Sequence, residues 1–527
     1  MTLSRRRALA TALFAPWALE GAAQPAPAPQ AGARGSSPPP AEPGCALCRE
    51  RLQTVAGLRA RLPAGWRAQM ESEPVLGGEM LVIQGGASEA PPLLLLHGLG
   101  QNGFTDWWPV MPLLARTWRV LAVDLPGFGY SSAPQAKLSP TQYARVLERL
   151  LARLDIATLA VAGHSMGGAV ALRLAADFPA RVARLVLVDA AGILHRTAFG
   201  KHATIGQLPS AGWPAGLEEA AARLRDLGHI LVERVFGLPD PTAVLRANEW
   251  LWPLLLRDRS SVNAALALMD EDFGAAVFTL RTPTQIIWGD VDAVAPLRTG
   301  ELLARRLPRA QLHLLRGVGH TPMVQATAEF LALLQRVLRE PPRPRAAPPP
   351  ADAPLQDLQC TGEVGRRLGG RFRTVRIERC TALHLIDLVA ERIELRDSIV
   401  EMTGVQVRGG ELALDIVNSE LVATACDFEG RQAIRTDAAR LDLAGCRLDA
   451  QAFAVQALGR SRLVASVCEV RDAMYQGSWH DDRELQGALL DPGTPGELTN
   501  PLPNLPLPPL PGLPGGGGSP QSTTAPR

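Results

Sequence analysis

Six short apolar runs constrain this chain more than any other feature: PLLLLHG, WRVLAVD, LAVAGHS, RLVLVDA, TQIIWGD and AQLHLLRG, each closing on glycine or polar residues. Strands buried on both faces look like this, because a parallel sheet is covered by helices on either side. Helical signals alternate with the runs. One helix is expected from Pro140, with Ser139 as N-cap, Gln142 completing a capping box, and Val146, Leu147, Leu150, Leu151 and Leu154 along one face. The order predicts an α/β doubly wound fold around a mostly parallel sheet. Residues 193–280 break the alternation: they are helical in period, carry Trp213, Trp250 and Trp252, and contain no clear strand. A helical cap over the carboxyl edge of the sheet is expected there, where ligands bind in such folds.

Within that order, Gly163-His164-Ser165-Met166-Gly167 fits G-x-S-x-G between the strand TLAVA and the helix AVALRLAADFP. A strand–turn–helix context makes this a nucleophile elbow. The turn forces the serine into a strained conformation, and Gly163 and Gly167 remove side chains that would collide. A serine hydroxyl needs a base that is itself held by a third group. In this fold the partners follow in the order serine, acid, histidine. Asp290 and Asp292 follow one strand, and His320 follows the next.

LLLLHGLG, VDLPGFGYSS, GHSMGG, WGDVDAVAP and GVGHTP resemble the successive signatures of the α/β-hydrolase family, in its capped, lipase- and esterase-like branch. The resemblance covers about residues 75–338. It implies Ser165 as nucleophile, Asp292 as orienting acid and His320 as base. The family pattern W-G-x-x-D-x-x-x-P, met by Trp288 to Pro296, favours Asp292 over Asp290; Asp189 is a rival, because some members take the acid from that earlier strand. An oxyanion hole needs two backbone N–H groups, and the resemblance assigns them to Met166 and Leu99. Gly98, Gly100, Gly103 and Asp124 also fit a dinucleotide fingerprint. The same loop serves better as an oxyanion loop, with His97 bracing it and Asp124 pinning the DLPGFGYSS turn, so no cofactor and no metal are expected. The implied activity is cleavage of a small-molecule or lipid-like acyl ester through an acyl-enzyme. Hydrolysis of a C–C bond, thioester or amide, or acyl transfer, would use the same residues. An envelope-binding scaffold with a vestigial hydrolase unit is the alternative of another class.

A chain of 527 residues exceeds one ordinary core. Proline-rich linkers at 24–44 and 340–355 separate a hydrolase unit (45–339) from a second unit (356–478), and a Pro/Gly-rich tail (479–527) is expected to be disordered. Residues 1–23 combine a basic start, an apolar run and small residues, as a secretory signal does. Arg5 and Arg6 stand as in twin-arginine signals, although Ala8 replaces the preferred phenylalanine. The run is shorter than the roughly 20 apolar residues of a membrane span, and no later segment reads as one. An exported, periplasmic or extracellular protein is therefore expected. Net charge is only +2, which gives no sign of a nucleic-acid partner. Cys45 and Cys48 lack the further ligands of a zinc site, leaving a local disulfide or no role.

In the second unit Cys380, Ser398, Cys426, Cys446 and Cys468 recur in strand-like repeats at intervals of 18, 28, 20 and 22 residues. A period near 20 suggests a β-solenoid, most naturally a parallel β-helix with its cysteines in a buried ladder. An antiparallel sandwich is the alternative. Such a solenoid is expected to offer a surface for an envelope or polymer partner.

Overall fold

The computed structural model describes residues 55–100, 103–198, 256, 259–343 and 355–493. The expected signal segment, the first linker, the start of the hydrolase unit with Cys45 and Cys48, most of the cap (199–255), most of the second linker and the tail from 494 lie outside the described residues. No helix among the described residues is long and apolar enough to cross a membrane.

The apolar runs form one sheet, in the order β1-β2-β4-β3-β5-β6-β7-β8. Its strands β3 (Pro92–Leu96), β4 (Arg119–Val123), β5 (Leu159–His164), β6 (Val182–Val188), β7 (Thr284–Gly289) and β8 (Ala310–Leu315) are parallel. Two strands that the apolar-run pattern does not reveal, β1 (Arg67–Ser72) and β2 (Glu79–Gly85), extend one edge antiparallel. β1 is the edge strand and only its Ala68 is buried, so it shows no continuous apolar run. Helix α1 (Pro140–Arg153) starts where expected, with Ser139 Oγ accepting the Gln142 N–H at 3.3 Å. With α2 (Met166–Asp177), α3 (Gly274–Thr279) and α4 (Leu297–Arg306) it contributes to the core on one face of the sheet. Helix α5 (Thr327–Arg339) packs on the other.

The second unit is a stack of strands from β9 (Gln356–Thr361) to β23 (Ala488–Leu489), parallel except where β22 (Gln476–Leu485) and β23 turn back against the last coil. It has the form of a β-helix. Leu383, Val400, Leu421, Leu441 and Leu463 occupy one register position on successive coils, and Val375, Ile393, Leu414, Ile434 and Val455 occupy another. All ten are buried, so each coil covers the apolar face of the next. The unit runs past the expected boundary at 478, because the antiparallel β22 and β23 cover the end of the stack.

The irregular 28-residue interval in the repeat has a structural cause. The five positions belong to two corners of the coil. Cys380, Ser398, Ser419, Ala439 and Ser461 succeed one another at one corner, linked by amide bonds from each following strand. Val405, Cys426, Cys446 and Cys468 succeed one another at the other. Passing from Ser398 to Cys426 therefore skips from corner to corner, whereas the true steps are 18, 21, 20 and 22 along the first. The thiols of Cys426, Cys446 and Cys468 donate to backbone carbonyls, and those of Cys360 and Cys380 lie 3.2 Å apart; all five are free.

The two units share a core. Ala444, Val464 and Val467 of the solenoid pack in the same buried cluster as α2, α3 and α4. A Cβ on Gly445 would lie 2.7 Å from Leu302 Cγ, so α4 and the solenoid backbone meet without room for a side chain. The buried Arg306 donates to the carbonyls of Gly445 and Cys426 and pairs with Asp427 at 2.7 Å.

Candidate functional site

Ser165 sits between β5 and α2 with φ 54° and ψ −120°, a conformation that L residues avoid. The strain is held by close packing. A Cβ on Gly163 would come within 2.1 Å of the Gly167 carbonyl oxygen, and one on Gly167 within 2.4 Å of the Leu96 oxygen. The Ser165 amide also donates to Val188 O at 3.0 Å, fastening the turn to β6.

Three chain segments converge on that serine. His320, after β8, places Nε2 at 2.9 Å from Ser165 Oγ. Its Nδ1 lies 2.8 Å from Asp292 Oδ2, in the loop after β7. A carboxylate only accepts, so Nδ1 carries the proton and Nε2 is left to accept from the serine hydroxyl. Asp292 Oδ1 accepts the N–H groups of Val294 and Ala295 at 2.7 and 2.9 Å, which fixes the carboxylate plane. Ser165, Asp292 and His320 are all buried.

The other acids are arranged differently. Asp290 accepts the Gly317 N–H at 2.6 Å and pairs with Arg316, clamping the ends of β7 and β8 together. Asp189, at the end of β6, accepts the Gly289 N–H at 2.8 Å. Burial and then the neighbouring Asp292 charge push its carboxyl well above the usual carboxylate range.

The loop carrying Leu99 runs alongside the nucleophile: a Cβ on Gly98 would lie 3.2 Å from Ser165 Cβ. Met166 opens α2, whose amino end faces the same point. His97 braces this loop, its Nδ1 bonding Gly98 O at 2.7 Å while Nε2 accepts the Leu125 N–H at 3.0 Å. Complete burial lowers its pKa to about 4, so it is neutral and unsuited to proton transfer near pH 7. Asp124 accepts the N–H groups of Phe104 and Tyr130 at 2.7 and 2.8 Å, joining the loop after β3 to the DLPGFGYSS turn. Asp106, half-buried beside this loop, has its pKa raised to about 6 by burial. Among the described residues no cluster of His, Cys, Asp and Glu could hold a metal ion.

One residue of the site is absent from the motif-based assignment. His164, the first variable position of G-x-S-x-G, bonds through Nε2 to the His320 carbonyl at 2.7 Å. Burial and then the His320 ring, 5.0 Å away, lower its pKa to about 3, so it is neutral and donates from Nε2. The motif leaves that position open, and only the return of β8 to the elbow reveals its partner.

The profile of the alpha/beta hydrolase fold family matches residues 91–327. Over 277 residues the chain is 33% identical to an uncharacterized protein of Mycobacterium tuberculosis, covering 48% of this chain and 76% of that one. It is 32% identical over 256 residues to 2-hydroxymuconate semialdehyde hydrolase of a Pseudomonas species, covering 47% and 87%. It is 33% identical over 271 residues to the pimeloyl-(acyl-carrier protein) methyl ester esterase of Aromatoleum aromaticum, covering 47% and 98%. Each match takes in about half of this chain, and the family match ends before the solenoid begins.

Proposed function

Because the chain belongs to the alpha/beta hydrolase fold family, we propose that it is an exported serine hydrolase that cleaves carboxylic esters through an acyl-enzyme. The observation that carries this reading is the hydrogen-bonded chain from Ser165 through His320 to Asp292. His320 Nε2 takes the hydroxyl proton as Ser165 Oγ attacks the ester carbonyl. Asp292 holds the imidazole in the required tautomer and stabilises the imidazolium. The N–H groups of Met166 and Leu99 receive the negative charge that forms on the carbonyl oxygen. His320 then protonates the departing alkoxide, and a water molecule activated by the same nitrogen releases the acid.

A second reading has its own support. The resemblance to 2-hydroxymuconate semialdehyde hydrolase favours C–C bond hydrolysis by the same residues. Purified protein assayed against a p-nitrophenyl ester series of increasing chain length, and against 2-hydroxymuconate semialdehyde, separates the two. Labelling of Ser165 by a fluorophosphonate, lost in Ser165→Ala, is expected under both. No turnover of any ester together with no labelling overturns the proposal. Export rests on the first 23 residues, and retention of Arg5→Lys/Arg6→Lys protein in the cytoplasm tests it.

A further inference from the structure

Helix α4 begins five positions after Asp292 and carries the hydrolase unit's main polar ties to the solenoid. Its end is packed, with Leu302 against Gly445 and Arg306 buried. Its start is held differently. Arg298, in the first turn, donates from Nε to Thr424 Oγ1 at 2.8 Å. From Nη2 it reaches Ala423 O at 3.2 Å, Asp442 O at 3.1 Å and Asp442 Oδ1 at 2.9 Å. A cation in the first turn faces the unfavourable end of the helix dipole. Arg298 is therefore not explained by α4, and its charge is answered by Asp442, which is mostly buried on the solenoid. Burial works against the guanidinium charge, yet Asp442 holds its pKa above the ordinary value.

Beside this tie a cavity of about 270 Å³ opens between the units, lined by Pro296, Arg298 and Glu301 on one side and Glu401, Thr424 and Asp442 on the other. Leu297 packs the start of α4 against the hydrolase core, and toward the solenoid the Arg298 bonds hold it. The segment they hold is short. Asp292 is gripped by the Val294 and Ala295 amides, Ala295 O accepts Trp288 Nε1 at 3.1 Å, and Pro296 leads directly into α4.

We propose that Arg298 is a positioning residue: by tying the first turn of α4 to Thr424 and Asp442, it fixes the loop that presents Asp292 to His320. On this view the solenoid is an internal partner in catalysis, supplying one end of the brace. The inference rests on the Ser165–His320–Asp292 reading above.

The test uses the full chain and an ester found to be turned over. Arg298→Ala is expected to lower kcat about 10- to 100-fold with KM unchanged, since a misplacement of about 1 Å costs on the order of 10²-fold. Asp442→Ala should act in the same direction. The double variant should be no worse than Arg298→Ala alone, as for two residues of one contact. Arg298→Lys should recover part of kcat, because an ammonium can meet Asp442 but cannot also reach Thr424. Arg306→Ala, which loosens the packed end, should lower the melting temperature while leaving kcat near the wild-type value. Should Arg298→Ala fail to fold, Asp442→Ala and Arg298→Lys carry the same comparison. A kcat unchanged in these variants while only the melting temperature falls overturns the positioning role. Activity that survives Ser165→Ala instead overturns the catalytic reading beneath it.

Discussion

His164 donates from Nε2 to the backbone carbonyl of His320 at 2.7 Å. The turn that presents the nucleophile therefore also holds the loop that presents its base. This bond explains why the two residues meet in register although they lie 156 positions apart. His164→Ala leaves the buried carbonyl unpaired and frees the His320 loop. A fall in kcat of about 10- to 100-fold at constant KM is expected, measured by steady-state kinetics. His164→Gln, which keeps a donor, should lie between.

Asp292 and Asp189 are neighbours with opposite expected sensitivities. Asp292→Asn removes the acceptor that sets the His320 tautomer, and kcat should fall by about 10⁴-fold. At Asp189, where burial and the Asp292 charge disfavour ionisation, asparagine keeps an acceptor for the Gly289 N–H and suits the φ of 44°. Asp189→Asn should change stability by no more than about 1 kcal/mol and leave kcat within a few-fold. Urea denaturation and kinetics on the two variants check the contrast.

His97 makes stability depend on pH in a defined direction. Its folded pKa, about 4, lies below the ordinary histidine value of 6.5, so the unfolded chain takes up the proton first. Its stabilising contribution is complete above pH 6.5 and is lost as pH falls toward 4. In that window it changes by roughly 1.4 kcal/mol per pH unit. The stability difference between wild type and His97→Gln should shrink with that slope between pH 6.5 and 4. Denaturant midpoints at half-unit steps measure it, and a difference independent of pH contradicts it.

Arg306 holds the packed end of the junction. Arg306→Ala leaves the Gly445 carbonyl and the Asp427 carboxylate without this donor, while the Cys426 carbonyl keeps only the Arg447 N–H. A loss of about 3 kcal/mol in unfolding free energy is expected. Because the core is shared, both units should melt together in wild type, and a single calorimetric transition checks this.

Much of the architecture was legible in local sequence. β3, β4, β5, β6 and β7 are visible because strands covered on both faces are continuously apolar, and the half-buried edge strand β8 is visible in its alternating leucines. β1 is not visible in this way because an edge position dilutes the pattern; β2, which lies between β1 and β4, carries a buried run of only four apolar residues, Met80 to Ile83. The elbow was visible because Gly163 and Gly167 are demanded by backbone contacts within and beside one turn. The solenoid's period of about 20 is visible in the recurrence of Cys380, Ser398, Cys426, Cys446 and Cys468 among strand-like repeats. Its corners were not separable, since Cys380, Ser398 and Cys426 are similar small residues with nothing local to distinguish their positions.

By itself, then, the sequence determined the sheet, the elbow, the order in which Asp292 and His320 follow Ser165, and the coil length of the second unit. These depend on periodicity and on short-range backbone geometry, which leave a record within a few residues. Only the tertiary structure decided that His164 holds the His320 loop, that Asp189 is buried beside Asp292 and accepts the Gly289 N–H, and that Arg298 and Arg306 bind the solenoid. Those contacts join residues from about 100 to more than 150 positions apart. Helix α4 reads as an ordinary amphipathic segment because its partners lie in another unit, and no local rule relates an arginine to a carboxylate that only the folded chain brings within reach.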